Sequence, residues 1–155
     1  MRAIRSSRTA KIVVDVLMTI FLVLSFIRWE DSNFAFHAVV GSVCTLLFVL
    51  HICIHHKWIK AVTKSFLAGN LSPSLRWKYT IDILLLIVWG VAIVTGFLAI
   101  GYFSAGIEGM ATFSRLHGVT SRIGLGLIVV HIFQHFPQIK SYLGIKSKQQ
   151  GAKAR

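Results

Sequence analysis

Four apolar stretches, at residues 12–27, 34–54, 79–103 and 116–136, dominate this chain. The first is a little short. The others reach about 20 residues, enough for a helix rising about 1.5 Å per residue to cross a hydrocarbon core about 30 Å thick. In lipid only helices and closed barrels satisfy every backbone polar group internally. A barrel needs strands of about 10 residues that alternate apolar and polar side chains, and no such alternation occurs here. The stretches predict an all-α membrane protein with four transmembrane helices at about 12–29, 34–58, 78–103 and 114–136, forming a single domain over residues 1–155 with a basic C-terminal tail at about 138–155. Composition agrees: 55% of the 155 residues are hydrophobic and only 14% are charged, too little polar surface for a water-soluble domain of this size. The opening MRAIRSSRTAK and the apolar run behind it resemble a signal peptide, but the run ends in SFIRWE without a small-residue cleavage pattern. An uncleaved first span is the expectation.

The net charge of +12 is a topology signal. Arg2, Arg5, Arg8 and Lys11 precede the first span; Lys57, Lys60, Lys64, Arg76 and Lys78 separate the second from the third; Lys140, Lys146, Lys148, Lys153 and Arg155 follow the fourth. These segments share one side of a four-span topology. The other side carries Arg28 and Arg115 against Glu30, Asp31 and Glu108. The positive-inside rule then predicts an antiparallel four-helix bundle with both termini in the cytoplasm, as a multi-pass protein of a prokaryotic inner membrane in contact with membrane lipid. Nucleic acid is not an expected partner, because the basic residues flank spans and do not form a reading surface. Trp29, Trp58, Trp77 and Tyr102 fall at the expected interfaces.

An internal repeat runs through the spans. Lys11 and Asp15 open the first helix one turn apart, as Lys78 and Asp82 open the third. His37, His51 and His55 on the second helix correspond to His117, His131 and His135 on the fourth, each displaced by 80 positions. The chain reads as two tandem helical hairpins, the second lengthened by 13 residues in its outer loop near GYFSAGIEGMATF. The second and fourth helices run parallel in this topology, which puts His37 at the depth of His117 and His51 at the depth of His131.

Within each helix the first two histidines are fourteen residues apart. At the period of about 3.5 residues of a left-handed bundle, that spacing is four whole turns, about 21 Å along the axis, and returns to the same face. Two parallel helices with this pattern offer two stacked bis-histidine levels. Imidazole is a good axial ligand for haem iron, and a macrocycle held between helices fills a bundle core. Cys44 and Gly124 mark the midpoints, and Gly41, Ser42, Gly118 and Gly126 are small residues where a helix or macrocycle can approach. The competing readings are hydrogen-bonded packing histidines and a zinc or copper site. Each level offers only two imidazoles, however, whereas zinc usually takes three or four ligands. Cys44 and Cys53, about 13 Å apart on one helix, are too distant for a disulfide. No Cys-x-x-Cys-His motif is present to attach haem covalently.

The spacing of thirteen residues between paired histidines on two helices is similar to the dihaem core of respiratory cytochromes b. The short chain, the K-x-x-x-D helix openings and the H-x-x-x-H-H-K-W ending of the second helix resemble the small flavinylation-associated dihaem cytochrome b family over most of residues 11–136. The fourth helix departs from this ending, with Phe136 and Pro137 in HIFQHFPQIK where His56 and Lys57 stand in the first copy. The resemblance implies that His37, His51, His117 and His131 are axial ligands of two haem b groups, and that the protein passes electrons across the membrane.

His55 and His135 lie one turn beyond the inner ligands, about 6 Å along the axis, too close for a second macrocycle. Eighteen residues from the outer histidine drifts by about 50° in a 3.5-period bundle, which favours His51 with His131. Either member of each pair remains a candidate for the inner level. His56 points elsewhere and reads as interfacial. Arg122, within the fourth span, is a candidate partner for a haem propionate or snorkels to the surface, with Arg28, Ser114 and Arg115 as weaker candidates on that side and Lys57, Arg76 and Lys78 on the other. Asp15 and Asp82 either pair with the lysine one turn earlier or, with His55 and His135, exchange protons with a bound quinone. The expected function is transmembrane electron transfer between a quinone pool and a redox protein partner. Alternatives are a haem-carrying anchor subunit of a larger flavin- or iron-sulfur-containing dehydrogenase or reductase, and a histidine-lined metal or proton transporter.

Overall fold

The structure, a computed structural model, describes residues 2–27, 34–106 and 110–142. They form four helices and, among the described residues, no strand: α1 (Arg2–Phe26), α2 (Phe34–Leu67), α3 (Pro73–Ala105) and α4 (Met110–Tyr142). All four are long and apolar enough to cross a membrane. They overrun the sequence-expected spans mainly at the ends flanked by basic residues. α1 begins at Arg2 instead of 12, α2 ends at Leu67 instead of 58, α3 begins at Pro73 instead of 78, and α4 continues to Tyr142, taking in the start of the expected tail. Hydropathy marks where lipid ends, whereas Lys, Arg and Ala are good helix formers that carry the backbone on into water. α4 passes through Pro137, near its end, where only one more turn depends on the lost donor. Residues 28–33, 107–109 and 143–155 lie outside the described residues. So therefore do Arg28, Trp29, Glu30, Asp31 and Glu108, and most of the basic tail.

Local chemistry sets the turn between α2 and α3. At the end of α2 the Gly69 amide donates to the Phe66 carbonyl and the Asn70 amide to the Ser65 carbonyl, with Gly69 at φ 72°. This is a Schellman ending, which needs a left-handed residue that glycine adopts without steric cost. Ser72 then caps α3, its hydroxyl accepting from the Leu75 amide, and Pro73 occupies the first turn, where its missing N–H is not needed.

The chain divides into two units, residues 1–71 and 72–155. The first is the α1–α2 hairpin and the second the α3–α4 hairpin. In the first, Asp15 meets His51 and Ser25 meets His37; in the second, Asp82 meets His131 and Ala92 meets His117. Residue numbers rise along one helix as they fall along the other, so each pair is antiparallel. The second hairpin buries Tyr79, Ile81, Leu85, Ala92 and Ala99 along α3, with Ala92 fully covered. In the first, Val14, Leu22 and Val40 are buried. The large apolar side chains elsewhere point outward, Leu46 and Phe133 among them, as expected of surfaces that face lipid tails.

Candidate metal or cofactor centre

Each hairpin holds three of the sequence-selected histidines on one helix, and the acceptors of the first two lie on the other. His51 donates from Nδ1 to Oδ1 of Asp15 at 2.7 Å, and His131 donates from Nδ1 to Oδ1 of Asp82, also at 2.7 Å. The remaining two use backbone carbonyls: His37 Nδ1 donates to Ser25 at 3.1 Å and His117 Nδ1 to Ala92 at 2.8 Å. A carbonyl or an ionised carboxylate only accepts, so all four rings carry their proton on Nδ1. Nε2 is the other ring nitrogen, the one a metal could take when Nδ1 is held in this way.

The repeat legible in the histidines extends to these acceptors. Asp15 and Asp82 are 67 positions apart, and so are Ser25 and Ala92, while the histidines they receive are 80 apart. The backbone carbonyls at Ser25 and Ala92 have no side-chain signature, and sequence reasoning did not find them. Nor did it find Gly96. A Cβ built there would lie 3.0 Å from Nδ1 of His117, so the glycine makes room for the imidazole.

The aspartates do not pair with the lysines one turn before them. Among the described residues, the ion pairs of Asp15 and Asp82 are with histidines of the facing helix. Lysine is long and well solvated at the helix end, whereas a carboxylate one turn deeper is held by a donor that is already desolvated.

His55 and His135 pack on the inner ligand candidates, ring centroids 4.6 Å from His51 and from His131 respectively. His135 also reaches Oδ2 of Asp82 from Nε2 at 3.4 Å. The second hairpin adds a donor that the first lacks: Gln134 Nε2 donates to Asp82 Oδ1 at 2.9 Å, where the first copy has Ile54. The Asp82 side chain is correspondingly the more enclosed, 15% exposed against 38% for Asp15. Asp15 with His51 and His55, and Asp82 with His131 and His135, each bring three ligand-capable atoms within 4.8 Å of one another. These are donor sets able to hold a metal ion.

The other selected residues are placed differently. Gly124 is buried, and its missing side chain faces Val88 and Trp89 of α3, so it seats the two helices of its own hairpin together. A Cβ at Gly41, Gly118 or Gly126 would meet nothing within 4 Å. Cys44, half-buried, points its thiol at the Met18 carbonyl, a packing role, and Cys53 is exposed. Arg115 and Arg122 are exposed and pair with no acid among the described residues. His56 turns back on its own helix, donating to the Cys53 carbonyl at 2.6 Å.

No protein-family model matches this chain, and no curated protein or solved structure is significantly similar to it.

Proposed function

We propose that this protein is a dihaem b-type cytochrome that carries electrons across a membrane, with His37 and His117 as one axial pair and His51 and His131 as the other. The observation that carries this reading is the common state of the four imidazoles. Every one is anchored through Nδ1 to an acceptor on the neighbouring helix. Metal-ligating histidines usually donate their other ring N–H to a carboxylate or backbone carbonyl, which fixes the tautomer and aims the ligating nitrogen. The donor set therefore fits haem iron, for which two neutral imidazoles presenting Nε2 are a common ligand pair. Bound there, haem supplies a one-electron couple and an apolar macrocycle. The chain's own residues hold the rings at fixed depth: Asp15, Ser25, Asp82 and Ala92 orient, and Gly96 clears space.

The choice of His51 and His131 over their neighbours is supported by the same bonds. Both hairpins anchor this histidine through Nδ1 to a carboxylate of the facing helix, and His135 turns its Nε2 to Asp82. We assign His55, His135, Asp15 and Asp82 to the surroundings of that level, where a quinone would exchange electrons. The exposed Arg115 and Arg122 remain candidates for propionates. By the positive-inside rule the basic flanks support both termini in the cytoplasm. The partners are a quinone and a redox protein, and service as the anchor of a larger flavin or iron-sulfur enzyme is the variant of this reading.

A second reading is favoured by the two Asp-His-His triads, each of which suits a divalent ion in a metal-transporting or metal-storing membrane protein. It leaves His37 and His117 unused. The 2.7 Å separation within each Asp–His pair also speaks against it, because two ligands about 2.1 Å from one zinc stand about 3.4 Å apart at the tetrahedral angle.

A reduced-minus-oxidised optical spectrum of the protein purified in detergent, with haem extracted by acidified solvent, separates the two. We expect sharp bis-histidine bands and two non-covalent haems per chain. His131→Ala and His117→Ala should each remove one haem and spare the other. A folded protein without visible bands, carrying one divalent ion per hairpin that Asp15→Asn or Asp82→Asn removes, would establish the metal reading instead.

A further inference from the structure

The two histidine levels differ in what accepts their Nδ1 hydrogen bond. At His51 and His131 it is a carboxylate, at 2.7 Å in both hairpins. At His37 and His117 it is a neutral backbone carbonyl, and that of Ala92 is shared with the Thr95 hydroxyl at 3.2 Å. From this difference we infer that Asp15 and Asp82 are positioning residues that set the two haem potentials apart, the level of His51 and His131 lying below that of His37 and His117. The inference rests on the haem reading and adds the order of the two potentials to it.

Two effects act in the same direction. A carboxylate draws the Nδ1 proton toward itself and raises the basicity of the opposite nitrogen, which makes the imidazole a stronger donor to ferric than to ferrous iron. Its negative charge also disfavours an added electron nearby, and in surroundings of low dielectric that field is weakly screened. A carbonyl provides neither in the same measure. At the other level, Arg115 and Arg122 stand two residues before and five after His117, and positive charge favours the reduced state. Lys11 and Lys78 act against the ordering. They lie a turn from the acids, about 6 Å along the axis, and pair with neither of them among the described residues. The carboxylate in direct contact with the imidazole outweighs a solvated ammonium a turn away. With haem held at both levels, the downhill direction for a single electron would be from the carboxylate-backed level to the carbonyl-backed one, a one-electron exchange that would need no proton and no bond change.

The test is a potentiometric titration of the full-length protein in detergent, followed optically and by low-temperature electron paramagnetic resonance. Haem content is measured first: a folded wild type without haem overturns the function proposed above and leaves no titration to interpret. With two haems bound, the wild type should titrate in two waves. His117→Gln, which strips the carbonyl-backed level, should leave the lower wave. Asp82→Asn and Asp15→Asn should each raise that lower wave, leave the upper one in place and shift the ferric signal of the affected haem toward that of unperturbed imidazole ligation. Asp82→Glu should restore much of the wild-type position. The inference is overturned if His117→Gln leaves the upper wave, or if both asparagine variants keep two haems at unchanged potentials. Loss of that haem from both asparagine variants would also overturn it, since the acids would then be holding the ligand in place and not tuning it.

Discussion

Gly96 lacks a side chain because His117 occupies the space that side chain would fill. A methyl group added there, 3.0 Å from the ring nitrogen that bonds Ala92, must push the imidazole off its acceptor. Overpacking of this kind costs about 1–3 kcal/mol. We expect Gly96→Ala to lower thermal stability in detergent and to weaken haem retention at the His37–His117 level only. Gly90→Ala and Gly101→Ala, at α3 positions where a Cβ meets nothing within 4 Å, should be neutral, or stabilising by up to about 1 kcal/mol, since alanine is the better helix former. The residues stacked on the proposed inner ligands, His51 and His131, give a contrasting expectation. Replacing both His55 and His135 with glutamine should leave two haems in the spectrum, while altering reduction by quinol. Disappearance of the inner haem, with His51→Ala and His131→Ala both retaining it, would move the ligands by one turn. At this scale the sequence exposed the donors and hid their acceptors. Histidines and aspartates are rare inside spans and stand out, but the carbonyls of Ser25 and Ala92 belong to residues whose side chains take no part in the bond, and the fit of Gly96 exists only once two helices are packed.

The helices show where pattern reading succeeds and where it stops. Apolar runs located all four, because burial in lipid leaves no substitute for hydrophobic length. Their basic-flanked ends were misjudged by between five and ten residues, since Arg2–Phe26 and Phe34–Leu67 continue as helix through segments with too many charges to score as span. The lysine-to-aspartate pairing within one helix was the nearest local solution on paper, and it lost to a histidine thirty-six residues away on α2. Element endings follow rules that are easier to read. Gly69 holds a left-handed backbone at φ 72° and closes α2 with two terminal hydrogen bonds. Gly69→Ala should destabilise the protein by about 1–2 kcal/mol, the cost of placing a Cβ in that conformation, read as a lower melting temperature with an unchanged haem spectrum.

For the whole molecule, the distribution of charge makes the strongest forecast. Fourteen of the 17 basic residues flank one side of the spans, so single cysteines introduced at Ser32 and Gly109 should react with a membrane-impermeant reagent in intact cells, while those at Ser72 and Lys148 should react only after lysis. Of these four sites Ser72 alone is among the described residues. The opposite pattern would exchange the two sides and leave the ligand pairs as they are. The hairpin organisation was legible because the duplicated histidines and acids keep constant offsets.

That constancy also limits how such a chain can change. One residue inserted between Asp15 and Ser25, or between His37 and His51, would rotate everything beyond it by about 100° and slide it about 1.5 Å along the axis, detaching one contact of the hairpin while sparing the other. The copies do differ in residue type, Ile54 against Gln134 and Cys44 against Gly124. The difference in length, 13 residues, falls at the outer end, where α3 runs on to Ala105 and α4 starts at Met110. The intervals from acid to carbonyl and from histidine to histidine behave as fixed rulers, tolerant of new letters and intolerant of a new count.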